Sequence, residues 1–331
     1  MTDVSSTTTA ALAQAARMSG YAPSIHNTQP WRWRVSGADL ELFAVPDRQL
    51  AVTDPAGRML TVSCGAALHH ARVELAAAGW AVTVGRMPEE ADPDLLARLT
   101  VTGHADVTPA AVRALQTLRI RHTDRRPVSD TPVSGATLDA MRQAAQAEGA
   151  GLHVLRPDDL IELASAAAHA QEVEGFDETW REELAYWVGG AGQAGLGLPD
   201  AVIPAKPPAT TVPGRDFGHG GSLPVGAGHD RAARYAIIYG SDDTRLGWLR
   251  AGEALSAVWL AAIEESLSVV PLSAAVEVPG TRRVLRHLLA DVGEPFLVLR
   301  LGIPDPDHAG PPHTPRLPAD QVVEVIPADG G

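Results

Sequence analysis

Two long apolar segments stand out in the pattern of hydrophobic and polar positions. Residues 59–79 and 244–267 are apolar along most of their length, which predicts two helices buried over most of their circumference. Gly65-Ala-Ala-Leu68 aligns with Gly252-Glu-Ala-Leu255 at an offset of 187 residues, and a short extended element follows each helix. A unit that occurs twice suggests a fused pseudo-dimer, because homodimers pack identical helices about a two-fold axis. Two unrelated core helices of similar composition would give the same pattern.

The rest of the pattern predicts shorter helices and strands. Period-two alternation on both sides of a glycine turn predicts a hairpin of residues 31–35 and 40–43. Further strands are expected at 82–84, 152–155, 233–239 and 296–301. Shorter helices are expected at 10–18, 108–118, 134–148, 158–188 with breaks, and 279–289. Three regions have weaker patterns: 95–102 is ambiguous, 272–278 is expected to be irregular or extended, and the tail from 304 is expected to be coil.

Residues 189–228 differ in kind from the rest of the chain. They contain eleven Gly and six Pro with few apolar anchors. Forty residues without regular structure indicate a lid, a binding loop or a linker. Gly190-Ala-Gly192-Gln-Ala-Gly195 matches the dinucleotide-binding spacing, but it follows a helical run instead of a strand, so we interpret it as a coincidence of composition.

Composition and charge narrow the class of protein. With 331 residues, 45% of them apolar and 20% charged, the chain can bury a large core and is expected to be soluble and globular. The net charge is −13 and no basic stripe exists, which argues against nucleic acid and anionic membranes as partners. No window is apolar enough to span a membrane, and no signal-peptide pattern is evident. The single cysteine, Cys64, excludes a disulfide framework and favours a reducing cytoplasm.

The segment Ala22-Pro-Ser-Ile-His-Asn-Thr-Gln-Pro-Trp31 is the first candidate site. Pro23 and Pro30 fix their own φ and disfavour helix in the preceding residue, so the segment must be an ordered corner. Hydroxyl and amide groups within it can donate and accept hydrogen bonds at short range. Such a corner suits a flat, hydrogen-bonding ligand, although an ordinary turn leading into a strand would look the same.

The second candidate site is the densest cationic cluster of an acidic chain, residues 119–127. In an extended segment Arg121, Thr123 and Arg125 share one face. Two guanidinium groups and a hydroxyl on one face could clamp a phosphate, and a solvated charged loop is the alternative. His69 and His70 are adjacent on a helix and so point apart, which argues against a metal site. No G-x-S-x-G elbow of a serine hydrolase is present.

These segments resemble motifs of the FMN-dependent nitroreductase family. Residues 23–31 are similar to its P-S-x-x-N-x-Q-P-W signature, and Arg121-His-Thr-Asp-Arg125 resembles the R-x-[ST]-x-[RK] motif that grips the FMN phosphate. Residues 268–273 are similar to its post-helix turn near the flavin N5 edge, and residues 314–318 to its C-terminal phosphate contact. In ordinary members the phosphate motif precedes the Asn motif and two chains share each flavin. Here the order is reversed, as is typical of the double-length, Acg-like branch.

The resemblance implies an α+β, nitroreductase-like fold. Two degenerate repeats, residues 1–107 and 108–331, would form an intramolecular pseudo-dimer around one FMN, with a lid inserted at 189–228. The residues that it assigns to the cofactor are Ser24, Ile25, Asn27, Arg121, His122, Thr123, Arg125, Leu272, Ser273 and Arg316. No acid–base side chain and no metal is assigned.

Three functions follow from this interpretation. The first is an FMN-dependent oxidoreductase that passes electrons from NAD(P)H to a nitro compound or a quinone. The second is a protein that stores FMN without turnover, because a long lid would keep substrates away from the ring. The third is a structural protein without a flavin. The electron acceptor, the preference for NADH or NADPH and the pairing of chains into a homodimer stay open.

Overall fold

The two long helices pack directly against each other. The computed structural model describes residues 2–189, 193–307 and 310–327, and it places α2 at Arg58–Ala77 and α7 at Arg245–Glu264. A Cβ on Gly65 would lie 2.0 Å from the carbonyl oxygen of Leu249, and a Cβ on Gly252 would lie 1.9 Å from that of Val62. Only glycine therefore fits where the two backbones meet. The aligned glycines lie at this crossing, while the pseudo-dimer itself stays a prediction.

The remaining elements lie on either side of this helix pair. The other helices of the described chain are α1 (Thr2–Ser19), α3 (Pro109–Ile120), α4 (Gly135–Ala147), α5 (Leu160–Phe176), α6 (Glu178–Trp187), α8 (Ala274–Glu277) and α9 (Pro279–Leu288). Its strands are β1 (Trp31–Ser36), β2 (Asp39–Ala44), β3 (Trp80–Arg86), β4 (Leu95–His104), β5 (Gly151–Val154), β6 (Arg234–Gly240), β7 (Ser268–Leu272), β8 (Glu294–Gly302) and β9 (Val323–Ile326). The predicted hairpin, the helix capped by Thr108 and the helix capped by Ser134 are all confirmed.

The strands form two sheets, each with its own core. The first has the order β3-β4-β2-β1-β9 and the second the order β5-β6-β8-β7. Helix α2 packs on the first sheet and α7 on the second, so this α+β architecture places the helix pair between two cores. No helix in the described ranges is long and apolar enough to cross a bilayer.

Several boundaries differ from the predictions. The tail is not entirely coil, because β9 pairs in parallel with β1 and so adds the end of the chain to the first sheet. Residues 268–272 form an edge strand, which confirms the extended element expected after the second long helix, although the resemblance describes these residues as a turn. Residues 274–277 form a short helix instead of an irregular segment. Helix α1 begins at Thr2, eight residues before the predicted start. The predicted domain boundary at 107/108 stays a prediction.

The Gly/Pro-rich region is packed onto the rest of the molecule. Its residues 190–192, which include part of the Gly190–Gly195 motif, lie outside the described residues, and we call residues 193–228 the lid segment. Isolated bridges join Val188 to Leu198 and Pro204 to Leu223. The lid segment also buries several apolar side chains, namely Leu196, Leu198, Val202, Ile203, Val212 and Leu223. It is therefore an ordered cover and not a linker.

Candidate functional site

A cavity of about 530 Å³ lies beneath the lid segment. The corner at Pro23–His26, the end of β7 and the lid itself form its walls. Trp259 of α7 and Arg300 of β8 also reach it. Its volume falls within the range of small-molecule and cofactor sites.

The ten residues predicted from the sequence all line this cavity or a smaller one beside it. Those at the large cavity are Ser24, Ile25, Thr123, Arg125, Leu272 and Ser273. Those at the smaller cavity, of about 60 Å³, are Ser24, Asn27, Arg121, His122, Thr123, Arg125 and Arg316. The two cavities are adjacent, because five residues line both, namely Pro23, Ser24, His26, Thr123 and Arg125. The sequence motifs therefore converge on one place, and their contact with a cofactor stays a prediction.

The corner has a strained backbone. His26, Asn27 and Gln29 have φ values of 42°, 58° and 46°, in the left-handed region that favours glycine. Each such residue costs of order 1–3 kcal/mol and persists only where its surroundings determine it. Two hydrogen bonds fix the corner: the Gln29 backbone N–H donates to Ser24 Oγ at 3.0 Å, and the Ile25 N–H donates to Ser63 Oγ of α2 at 3.1 Å.

The Asn27 side chain is engaged by the protein itself. Its Nδ2 donates to the carbonyl oxygens of Gly197 in the lid segment and Pro315 in the C-terminal segment, both at 3.0 Å. Its Oδ1 accepts from Arg316 Nη1 at 2.8 Å. Asn27 therefore positions its neighbours, a role that the sequence did not indicate.

Arg121 and Arg316 converge on one carbonyl group. Their Nη2 atoms donate to the Tyr21 oxygen at 3.2 Å and 3.5 Å. Arg121 lies with its Cζ 4.5 Å from the ring centroid of Trp259, and Arg125 lies 5.3 Å from that of Phe217. Within the described part of the chain none of these three guanidinium groups forms an ion pair. All three line the smaller cavity, and their role as a phosphate clamp stays a prediction.

The electrostatics of these arginines point to an anion. Burial, with a further contribution from Arg316, lowers the pKa of Arg121 to about 9. Burial likewise lowers the pKa of Arg125 and of Arg316 to about 10. The Nε atoms of Arg121 and Arg316 are buried without a hydrogen-bond partner. Burying a charge without a partner is costly, so a bound anion would be stabilised here despite the negative net charge.

A buried ion pair anchors the segment of residues 121–128, which carries Arg121 and Arg125. Arg300 Nη1 donates to Asp230 Oδ2 at 2.9 Å, and its Nη2 donates to the carbonyl oxygens of Asp124 and Arg126. Asp230 Oδ1 accepts from the backbone N–H of Val128 at 2.7 Å. These contacts anchor the far end of the segment at residues 124–128.

His26 and Phe217 are among the residues of the site that were not predicted. His26 lines both cavities, its Nε2 is buried without a partner, and burial lowers its pKa well below the usual value, so it is neutral. The sequence could have indicated His26 as a site residue, because it lies within the corner motif. Phe217 of the lid segment packs edge-on against His26 with 6.4 Å between ring centroids, and nothing in the local sequence marks it.

Other chemistry is poorly placed. His69 Nδ1 lies 2.8 Å from Ser256 Oγ, and His69 Nε2 lies 3.7 Å from Glu148 Oε1, which is the order of a hydrolase triad. Ser256 is fully buried, however, and none of the three lines either cavity. Among the described residues no group of three His, Cys, Asp or Glu side chains could hold a metal ion.

Comparison with known proteins gives relatives over nearly the whole chain. No family model matches. A Mycobacterium tuberculosis protein named "Putative NAD(P)H nitroreductase" is 41% identical over 312 residues, covering 92% of this chain and 88% of the relative. The "Putative NAD(P)H nitroreductase acg" of the same organism is 32% identical over 331 residues, covering 97% and 98%.

Solved structures show a weaker likeness. A nitroreductase with bound FMN from Bacteroides fragilis is 12% identical, with a TM-score of 0.38 over 61% of this chain and 93% of that chain. An NADPH:FMN oxidoreductase from Vibrio harveyi complexed with NAD+ is 15% identical, with a TM-score of 0.38 over 64% and 76%. The family assignment rests on the sequence relatives, which share about a third or more of their residues over at least 92% of this chain. The chain belongs to the nitroreductase family.

Proposed function

We propose that this protein is an FMN-dependent oxidoreductase that holds one FMN per chain. It would take electrons from NAD(P)H and pass them to a small nitro compound or quinone. The observation that carries the proposal is a group of three arginines, without carboxylate partners among the described residues, that line the smaller cavity beside the one of about 530 Å³. Together the two cavities offer an apolar wall for a flat ring and a cationic end for a phosphate.

The residues present fit such a cofactor. Arg121, Arg125 and Arg316 would neutralise the phosphate, because guanidinium groups match phosphate oxygens bidentately. Thr123 and His122 line the same small cavity and would add hydrogen bonds. The unpartnered Nε atoms of Arg121 and Arg316 are the donors that the protein leaves unused.

The large cavity would receive the flavin ring. Ser24 and Ile25 lie on one side, and Leu272 and Ser273 lie at the end of β7. When bound, the flavin would supply the redox chemistry, while these residues position it and the lid segment excludes water. Because His26 is neutral and unpartnered, it would leave the site without an additional charge.

Anaerobic addition of NADPH to the FMN-loaded protein tests the proposal. We expect the yellow absorbance to bleach promptly and to return when a nitroaromatic compound or a quinone is added. An unchanged spectrum would contradict the reductase and favour storage, which the names of the relatives do not support. A colourless protein that binds no added FMN would contradict the flavoprotein altogether.

The stoichiometry tests the shared site. We expect titration with FMN to saturate at one molecule per chain, because the predicted residues from both parts of the chain line one pair of adjacent cavities. Saturation at two would refute the idea of two degenerate repeats around one flavin.

A further inference from the structure

Two side-chain amides of the corner bridge the lid segment and the C-terminal segment. The Nδ2 of Asn27 and the Nε2 of Gln29 donate to lid carbonyl groups, those of Gly197 at 3.0 Å and Gly195 at 2.7 Å. The oxygen of each amide accepts from the other segment, from Arg316 Nη1 at 2.8 Å and from the Leu317 N–H at 3.0 Å. Both amides are nearly fully buried. Each amide therefore donates to the lid segment and accepts from the C-terminal segment that carries Arg316.

We propose that Asn27 and Gln29 are positioning residues that couple the lid to the anion site. An anion held between Arg121 and Arg316 fixes Arg316, the amides transmit that order to the lid, and the closed lid in turn holds Arg316 in place. The identity of the anion as the FMN phosphate rests on the proposed function, whereas the coupling rests on the contacts alone.

The lid is also seated directly on the same backbone. Gly195 has φ +91°, and a Cβ there would lie 3.0 Å from the carbonyl oxygen of Arg316 and 3.3 Å from Leu317 Cα. A shift of Arg316 therefore displaces the lid at this point unless the two move together. The amides select one relative position of the two segments.

Because the backbone of the corner is strained, its conformation depends on the contacts that it makes with the lid and the C-terminal segment. Three non-glycine residues at 26, 27 and 29 hold left-handed conformations, which persist only where contacts determine them. Losing the lid contacts would remove part of what holds the corner. The anion site and the lid therefore both favour the same conformation of the corner. Energetic coupling requires such an element, whose conformational equilibrium both sites shift.

Coupling of this kind is reciprocal. If a closed lid tightens anion binding by some factor, anion binding must favour the closed lid by the same factor. Hydrogen exchange of lid amides measures lid opening, because exchange requires their hydrogen bonds to break. Suitable reporters are the backbone N–H groups of Leu198, Ala205 and Leu223, which donate to Trp187, Leu223 and Ile203.

The test compares amide-to-acid variants at the two positions. Gln29→Glu removes the donor to the lid and keeps the acceptor for the C-terminal segment. Asn27→Asp does the same, but it also removes the donor to the Pro315 carbonyl oxygen and places a carboxylate beside Arg316, so Gln29→Glu is the decisive variant. In the wild type, FMN and inorganic phosphate, each added separately, are expected to slow exchange of the lid reporters. In both variants the reporters should exchange about tenfold faster or more, within the usual range of coupling, and should no longer respond to either anion.

Two further variants keep the test decisive. Gln49→Glu is the matched control, because Gln49 donates to the carbonyl oxygens of Asp54 and Pro55 and not to the lid. It should behave like the wild type. Gly195→Ala places a Cβ 3.0 Å from the Arg316 carbonyl oxygen and leaves the corner side chains unchanged, so it should reproduce the loss of response even if the corner variants do not fold.

The outcomes separate the coupling from the proposed function. Lid reporters that respond to phosphate equally in the wild type, Gln29→Glu and Gly195→Ala would overturn the coupling. So would faster exchange spread evenly through β4 and β8, because a merely structural role would loosen both cores. If phosphate slows the lid reporters in the wild type while FMN neither binds nor slows them, the cofactor is wrong and the coupling stands.

Discussion

The side chains of Arg215 and Arg300 are only 9% and 4% exposed, and Arg121 is only 5% exposed, but in the described part of the chain carboxylates accompany only the first two. Arg215 of the lid segment contacts Glu174 and Glu277, and Arg300 contacts Asp230. Burial lowers the pKa of Arg215, but the charges of Glu277 and Glu174 outweigh it, so the pKa is raised overall. The pKa of Arg121, in contrast, is lowered by burial to about 9. The first two hold parts of the fold together, and the third is the one that we propose binds an anion.

The arginines without carboxylates have a different support. Arg121 and Arg125 lie over the faces of Trp259 and Phe217. An aromatic face attracts a cation without neutralising it, so the charge stays available to an anion. The two regions therefore differ in charge balance: the Arg215 cluster has one acid more than it has cations, whereas the described residues give Arg121 no carboxylate partner. We therefore expect proton uptake at the former and propose anion binding at the latter.

Breaking a paired arginine should have the largest effect. Arg300→Met leaves Asp230 buried and unpaired, so we expect it to lower the free energy of unfolding by about 3–5 kcal/mol. Urea titration followed by circular dichroism measures this. The double variant Arg300→Met with Asp230→Asn should regain part of the loss, because the uncompensated charge is gone. A stable single variant would mean that the pair does not anchor the segment.

Removing an arginine without a carboxylate should affect binding instead. Arg121→Met is expected to weaken FMN binding by about 1.5–3 kcal/mol, the value of a charged hydrogen-bonding partner, while leaving the stability of the apoprotein equal or higher. Fluorescence titration of FMN and urea titration give the two numbers. Arg119→Met is the matched control, since that exposed side chain lies two residues away. Equal FMN affinity in the two variants would place the phosphate elsewhere.

The sequence anticipated this site where local chemistry is distinctive. Pro23 and Pro30 demand a corner whatever surrounds them, and three arginines within residues 119–125 are conspicuous in an acidic chain. Arg316 was assigned to the same phosphate from its motif, and it lies beside Asn27. Such features can be predicted because they depend on residues that are neighbours in the chain, and folding does not change those neighbours.

The sequence could not anticipate what distant segments do to one another. Strand β9 is four residues long and flanked by coil, and only its pairing with β1 makes it a strand. Asn27 looked like a ligand contact, but its partners, Gly197 and Pro315, lie 170 and 288 residues away. The seating of Phe217 against His26 likewise depends on the path of the whole lid segment.

The Arg215 cluster should make stability depend on pH. Burial raises the pKa of Glu174 to about 7 despite the opposing charge of Arg215. The folded state therefore keeps a proton that the unfolded state releases near pH 4.3. Stability from this proton is complete below about pH 4.3 and is lost as the pH rises through about 7, at up to about 1.4 kcal/mol per pH unit.

Glu174→Gln isolates that contribution. The variant should flatten the fall in free energy of unfolding between pH 5 and 7, measured by urea titrations at several pH values. Part of the slope should persist, because burial also raises the pKa of Asp54 to about 7. Asp54→Asn should remove that remaining part. Slopes equal to that of the wild type in both variants would show that the excess acid is not in this region.

The smallest effect is expected from the aromatic support itself. Phe217→Leu removes the ring beneath Arg125 but retains an apolar side chain, and Arg125 keeps its hydrogen bond to the Val202 carbonyl oxygen at 3.2 Å. A partly exposed cation–π contact contributes about 0.5–1 kcal/mol, so FMN affinity should fall by roughly two- to fivefold. Phe217→Tyr keeps the ring and should bind FMN like the wild type. A loss as large as that of Arg121→Met would mean that Phe217 contacts the ligand itself; no loss in either variant would mean that the Val202 carbonyl alone orients Arg125.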